Sequence, residues 1–277
     1  MKRRLAALVF ACSCLSGQQI YDLLLKNGRV IDPVNHRDGR LDVAVIGNRI
    51  ERVAPNLPEA HARVIVDVTG YMVTPGLIDS NANLAAPLKP DYNTLPYGVT
   101  TVVHTGITCA AFPEFKKEVI GHEKVRVLTF LSPADASCAQ QNHEIVARAA
   151  PPIADLISSG MDWACILVPR ATLARAMSIS LSQGLTPEQI IERVTANPAR
   201  AIKRTDLGTL SEGSVADIAV LEIQQGKFGF LDSTHARVDG TRRFRCLLTV
   251  RNGVIVWDSD GLSIPDTVKA GPYTNFK

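Results

Sequence analysis

Two residues of this sequence combine a reactive side chain with a position at the end of an apolar run. Asp79 follows Leu77–Ile78, and His104 follows Thr101–Val103. Zinc takes imidazole nitrogen and carboxylate oxygen as ligands, and both groups can also transfer protons. His104 is therefore either a metal ligand or an ordinary hydrogen-bonded histidine at a strand end. Asp79 is either a second ligand or a buried acid that anchors neighbouring groups.

The elements that position these residues belong to a folded chain with little net charge. Its 277 residues include 30 lysines and arginines against 27 acidic residues, for a net charge of +3, and 46% of them are hydrophobic. This balance excludes a nucleic-acid partner held by overall basic charge, and the hydrophobic fraction excludes a disordered chain. No apolar stretch approaches the length of about 18 residues that a membrane span needs.

Residues 1–19 have the pattern of a secretory signal peptide. Basic residues 2–4 precede the short apolar run Leu5–Ala11, which cannot span a bilayer. The pattern predicts export, to the periplasm or to the medium. Cys12 and Cys14 raise the alternative of a lipoprotein, although the residues before Cys12 make a poor lipidation signal. A buried first strand is the third alternative.

Both ends of the chain are rich in short strand patterns separated by turn residues. Asn27–Gly28, Gly47–Asn48 and Asn252–Gly253 each separate two apolar runs, which is the pattern of a β-hairpin. The runs from the two ends, in residues 20–74 and 205–265, are predicted to form one small β-sandwich.

The middle of the chain has a different pattern of apolar residues. Short apolar runs at residues 77–79, 101–103 and 125–128 are separated by segments that can hold helices. This alternation predicts βα units and an α/β fold. The clearest helix begins after Thr186, where a proline follows and Gln189 completes a capping box.

Four sequence motifs carry a resemblance to a known family. They are Pro75–Asp79, Thr195–Ala199, Gly208–Ile218 and Val250–Gly253, in that order along the chain. Together they resemble the amidohydrolase superfamily, in particular its dihydroorotase-like and deacetylase-like metallohydrolases. The resemblance implies a (β/α)₈ barrel of the TIM type with a β-sandwich built from both chain ends. It also implies hydrolysis of amide or cyclic amide C–N bonds with one or two divalent metals.

The sequence departs from the family at the positions of the first metal ligands. The family pattern continues after Asp79 with His-x-His, and this chain has Asn81 and Asn83 there. An amide oxygen replaces an imidazole at both places, so zinc affinity should collapse. The two asparagines could instead bind a polar ligand, or fill the site with neutral polar groups.

The other family ligands are also missing. The resemblance implies a lysine on the fourth barrel strand and histidines on the fifth and sixth. No lysine occurs in residues 125–202, and no histidine occurs in residues 144–234. The catalytic aspartate of the last strand has glycine in its place, in the run Ile157–Gly160. Asp155 and Asp162 flank that run and are the substitutes that the sequence offers.

The length of the middle segment predicts a truncated barrel. Residues 75–204 number about 130, whereas a (β/α)₈ barrel needs about 250. The predicted organisation is therefore a shortened (β/α) barrel over 75–204, a sandwich over 20–74 and 205–265, and a tail over 266–277. An open barrel exposes strand edges, so a second copy or an intact paralogue is expected to cover it.

Two classes of function follow from these residues. The favoured hypothesis is a protein that has lost metal-dependent hydrolysis, needs no cofactor and acts in binding or assembly. The alternative is an active hydrolase with an atypical or partner-completed site, in which His104 acts with Asp79 or Asp162. That alternative requires zinc or another divalent metal. A decayed gene product without a selected function is the third interpretation.

Overall fold

The computed structural model describes residues 20–82, 84, 90–108, 110–120, 122–131, 172–231 and 236–265. The predicted signal peptide, the predicted tail and three site candidates, Asn83, Asp155 and Asp162, lie outside these ranges. Within them, no helix is both long enough and apolar enough to cross a membrane.

Eight strands from the two ends of the chain form one hydrogen-bonded sheet. Its order is β11-β10-β9-β5-β1-β2-β3, and β4 pairs in parallel with β1. The antiparallel pairing of β5 with β9 joins the first part of the chain to the last. The arrangement of this sheet as a sandwich stays a prediction. The strands are β1 (Tyr21–Asp32), β2 (Arg37–Ile46), β3 (Arg49–Ala54), β4 (Ala62–Asp67), β5 (Met72–Pro75), β9 (Ile218–Leu231), β10 (Arg237–Arg251) and β11 (Val254–Asp258).

Two of the three predicted hairpins are present, and the first prediction is wrong. Turns at Gly47–Asn48 and Asn252–Gly253 join β2 to β3 and β10 to β11. Asn27–Gly28 instead forms a bulge inside the continuous strand β1. Asn27 has the positive φ of 65° that the turn pattern requires. However, its backbone N–H donates to Asp42 on β2, which keeps the strand paired through the irregularity.

A second sheet of three parallel strands lies in the middle of the chain. Its order is β6-β7-β8, as the alternation of apolar runs predicted. Helix α1 (Pro90–Thr94) and a 3₁₀ turn (Leu95–Tyr97) connect the first two strands. Helix α2 (Phe112–Phe115), continued by a π-helical turn (Lys116–Ile120), connects the next two. This confirms the mixed α/β class. The strands are β6 (Leu77–Ala82), β7 (Val99–Ile107) and β8 (Arg126–Leu131).

Three helices follow in the described part of the chain: α3 (Leu173–Ser182), α4 (Pro187–Val194) and α5 (Ala196–Ala201). The capping box predicted for α4 is confirmed. The Gln189 N–H donates to Thr186 Oγ1 at 3.3 Å, and the Thr186 N–H donates to Gln189 Oε1 at 3.0 Å. Both bonds satisfy donors that a helix start leaves unpaired.

Thr186→Ala should therefore lower the free energy of unfolding by about 1 kcal/mol, since the cap loses its side-chain acceptor. Thr172 provides a matched control, because it precedes α3 and makes no side-chain capping bond. Urea unfolding of both alanine variants measures the difference. Equal losses at the two positions would show that the capping bond contributes nothing.

Among the described residues, the two largest of four apolar clusters hold most of these elements together. The first contains residues of α3, α4 and both sheets, among them Leu77, Val102, Met177, Ile190 and Leu221. The second consists of large-sheet residues and the segment leading into β9. Because the first cluster spans both sheets, the parallel strands are fixed against the large sheet.

Candidate functional site

His104 and β6 meet at the carboxyl edge of the parallel sheet. Ala82 pairs in register with His104, and His104 pairs with Thr129 on β8. The Leu84 N–H donates to His104 Nδ1 at 3.2 Å, and the Ala82 carbonyl lies 3.3 Å from the same nitrogen. The Leu84 contact uses Nδ1 as an acceptor and the Ala82 contact would use it as a donor, so two backbone groups at the end of β6 compete for this one nitrogen.

The imidazole of His104 is also held by an aromatic ring. It stacks on Phe115 of α2, with ring centroids 5.0 Å apart and planes inclined by 22°. The ring is therefore held at Nδ1 by two backbone groups and on one face by the phenyl ring of Phe115. Nε2 is the nitrogen through which a ligand would have to bind.

Two more of the candidate site residues predicted from the sequence, Asp79 and Asn81, lie on β6. Asp79 lies on β6 opposite Val102; it is half-buried and has an interaction partner within the chain. Asn81 lies on the same strand. The structure thus brings Asp79, Asn81 and His104 to neighbouring positions on two paired strands.

The described residues do not fit a catalytic zinc site. Such a site usually takes three protein ligands and keeps one open position. Across the described ranges, no group of three or more His, Cys, Asp or Glu side chains is arranged to hold a metal ion. Asp79 and His104 supply at most two ligands, and Asn81 is a neutral amide.

A buried charge cluster lies at the opposite edge, where β8 begins. Arg126 donates to Asp217 and, at 2.8 Å, to Thr101 Oγ1. Arg251 Nη1 lies 3.6 Å from Asp217 Oδ1, and the same oxygen accepts the Asn252 N–H at 2.8 Å. Asp217 belongs to the Ala-Asp-Ile motif. Its contacts with Arg126 and with the Asn252 N–H join β8 of the parallel sheet to the turn between β10 and β11, which is a structural role.

Burial lowers the pKa of the Arg251 guanidinium. The Asp217 carboxylate opposes this shift, and the positive charges of Arg126 and Arg204 add to it. Arg204 itself forms two hydrogen bonds to Asp206, both at 2.7 Å. Sequence reasoning missed these arginines, because residues at 126, 204 and 251 have no common spacing that predicts contact.

Two surface cavities open elsewhere in the described part of the chain. One, of about 730 Å³, lies between α1 and β11. The other, of about 540 Å³, lies between the end of α3 and the β9–β10 hairpin. Neither is lined by Asp79 or His104.

The Amidohydrolase family model matches residues 140–257. A dihydroorotase from Lactococcus lactis is 33% identical over 103 residues, which are 37% of this chain and 24% of that protein. An adenine deaminase from Deinococcus radiodurans is 37% identical over 91 residues, 31% of this chain and 17% of its own length. These matches support a member of the amidohydrolase superfamily. Its matches span about a quarter or less of the length of these two relatives.

Solved amidohydrolase-superfamily structures have a similar fold. A crystal structure of an adenine deaminase aligns with a TM-score of 0.67 at 18% identity, over 86% of this chain and 100% of that one. A dihydroorotase aligns with a TM-score of 0.65 at 16% identity, over 86% and 99%. At this identity the likeness shows the fold alone.

Proposed function

We propose that this amidohydrolase-superfamily chain acts in binding or assembly and has lost metal-dependent hydrolysis of amide C–N bonds. The observation that carries the proposal is the composition of the carboxyl edge of the parallel sheet. Asn81 and Asn83 stand where the family pattern has histidines, and His104 has Nδ1 engaged by the Leu84 N–H. Neutral amides at two ligand positions remove most of the affinity for zinc.

The barrel of this protein is proposed to be shorter than that of the family. Residues 75–204 form a truncated barrel, and residues 20–74 and 205–265 form a sandwich. The parallel order β6-β7-β8 and the pairing of β5 with β9 support this division. A second copy or an intact paralogue covers the open barrel. Export follows from the pattern of residues 1–19.

An active hydrolase is the second candidate. It is favoured by the match of the Amidohydrolase family model to residues 140–257, which include Asp155 and Asp162. In that case His104, with Asp79 or Asp162, would form an atypical site, or one completed by a partner, that is loaded with zinc or another divalent metal. Dihydroorotate and adenine are the first compounds to assay, since they are the substrates named by the relatives.

Restoration of the histidine pair tests the proposal. The double variant Asn81→His/Asn83→His should bind zinc at least about tenfold more tightly than the unmodified chain, because imidazole is a far better zinc ligand than an amide. Titration with zinc, followed by the melting temperature, measures the difference. Unmodified chain that binds zinc as tightly, or hydrolyses either compound in its presence, would contradict the loss of the metal site.

A matched control separates a restored site from any pair of histidines. Gln225→His/Lys227→His has the same spacing on β9, at two exposed positions. This variant reports what two histidines on a strand bind without a surrounding site. If both double variants bind zinc equally, positions 81 and 83 are not inherited ligand positions.

A further inference from the structure

Positive charge accumulates on the part of the β9–β10 hairpin that lies away from the core. Strand β10 carries five arginines, and three of them form ion pairs with acidic side chains. Arg242 and Arg243 of β10, and Lys227 of β9, form no such pair within the part of the chain that the structure describes. These cations therefore lack a counter-ion from the described residues.

Two of these cations line the cavity between the hairpin and the end of α3. The cavity measures about 540 Å³, and sites for small molecules typically measure about 300–1,000 Å³. Lys227 and Arg242 supply charged groups to its lining, and Leu181 and Phe228 supply apolar surface. A few polar groups beside apolar surface are typical of a small-molecule site.

The lining of the cavity has an excess of positive charge. Asp239 is the one acidic residue among the described residues that line it, and its carboxylate accepts from Arg237 at 2.7 Å. This pair is neutral as a whole. Lys227 and Arg242 therefore leave two positive charges without a counter-ion, which favours an anion in the cavity.

A β-bulge lies at the position of Lys227. Gly240 pairs with Phe228 and Arg242 pairs with Gln225, so one residue of β10 lies opposite two residues of β9 at this point. Neighbouring side chains of a regular strand point to opposite faces. Bulges redirect side chains and are common beside functional sites. The bulge thus explains how Lys227 and its neighbour Phe228 line the same cavity.

The apolar wall of the cavity is held by its own neighbours. The Phe228 ring packs against Phe230, with centroids 6.2 Å apart, and the Arg243 guanidinium lies 4.7 Å from the Phe228 centroid. A ring that is already fixed loses less conformational entropy when a ligand contacts it. Arg243 also brings a third positive charge close to the cavity.

The cations are not needed to satisfy the end of α3, which forms one wall of the cavity. The carbonyls of residues 179, 180 and 181 accept the N–H groups of residues 183, 185 and 184, respectively. The carboxyl end of a helix carries about half a negative charge. This is less than the two positive charges of Lys227 and Arg242, so the cavity stays positive.

We infer that this cavity binds a soluble phosphate monoester, with the phosphate at Lys227 and Arg242 and the organic group against Leu181 and Phe228. A phosphate monoester carries about −1.5 to −2 charges at pH 7, which matches two cations, whereas a carboxylate carries one. A guanidinium can donate two parallel hydrogen bonds to phosphate oxygens. The cavity is not lined by Asp79 or His104, so the inference does not depend on the proposed loss of the metal site.

Calorimetric titration of the full chain with phenyl phosphate tests the inference. The chain should bind this compound, and Lys227→Gln/Arg242→Gln should bind it at least about tenfold more weakly, because the charge-assisted hydrogen bonds are lost. Arg40→Gln/Arg52→Gln is the matched control. It removes the same charge from two exposed positions of the large sheet that do not line the cavity, and it should change the affinity less than about twofold. No binding of phenyl phosphate, or an equal loss in both double variants, would overturn the inference.

A comparison of ligands tests the assigned chemistry with the unmodified chain. Benzoate has the same ring and a single charge, so it should bind at least about tenfold more weakly than phenyl phosphate. Inorganic phosphate lacks the ring, and Phe228→Ala should weaken the binding of phenyl phosphate without changing that of inorganic phosphate. Equal affinity for benzoate and phenyl phosphate would contradict a site for a dianion. A chain that binds vesicles containing phosphatidic acid, and not phenyl phosphate, would have a membrane-bound ligand, which also overturns the inference.

Discussion

Asp217→Asn is expected to lower the free energy of unfolding by about 3–5 kcal/mol, the range for removing one partner of a buried ion pair. Asp217 is buried and accepts hydrogen bonds from Arg126 and from the Asn252 backbone, and Arg251 lies 3.6 Å away. Asparagine keeps the shape but removes the negative charge. The two guanidiniums then stay largely buried without their counter-ion, and the resulting cost destabilises the folded state.

Urea unfolding of the variant, followed by tryptophan fluorescence, measures this cost. Asp239→Asn is the control, because its ion pair with Arg237 is mostly exposed, and such pairs contribute about 0–1 kcal/mol. A loss below about 1 kcal/mol at position 217 would mean that water reaches the buried arginines when the charge is removed.

Gly253→Ala is expected to lower the free energy of unfolding by about 2–6 kcal/mol, the sum of a conformational and a steric cost. Gly253 has a φ of +80°, where a non-glycine residue costs about 1–3 kcal/mol. A Cβ at this position would also overlap the backbone carbonyl oxygen of Gly47. The clash adds about 1–3 kcal/mol, because a backbone atom cannot turn away as a side chain can. The two turns, from opposite ends of the chain, would have to separate.

A second glycine isolates the effect of the close approach. Gly213 has a φ of +83°, and a Cβ there would meet no atom within 4 Å. Gly213→Ala should therefore cost only the conformational part, about 1–3 kcal/mol. Thermal and urea unfolding of both variants give the comparison. Equal losses would show that the turns at 47 and 253 do not depend on their contact.

The sequence predicted the local elements well, because their signals lie within a few residues. Thr186 and Gln189 define a helix start by themselves, and Asn252–Gly253 defines a two-residue turn. Asn27–Gly28 has the same local pattern, and here the prediction of a hairpin was wrong. The bulge is stabilised by Asp42, a residue of the next strand. A rule based on neighbouring residues cannot predict this contact, because Asp42 lies 15 residues further along the chain.

The candidate site was only partly predictable for a related reason. The apolar runs predicted that β6 and β7 form βα units, but they did not give the register, so the pairing of Ala82 with His104 was not predicted. The stacking of His104 on Phe115 depends on how α2 packs, which the sequence does not reveal. The contacts of Arg126 and Arg251 with Asp217 are tertiary contacts among distant segments.

The metal content of the purified chain, measured together with its melting temperature with and without excess zinc, tests the central claim most directly. The proposed loss of the metal site, with Asn81 and Asn83 in place of a histidine pair, predicts no stoichiometric metal and a cooperative melt that zinc does not shift. A ligand that binds only the folded state raises the melting temperature. One metal per chain with a zinc-dependent rise would contradict the account, and the site would then have to include His104, Asp79 and Asp162.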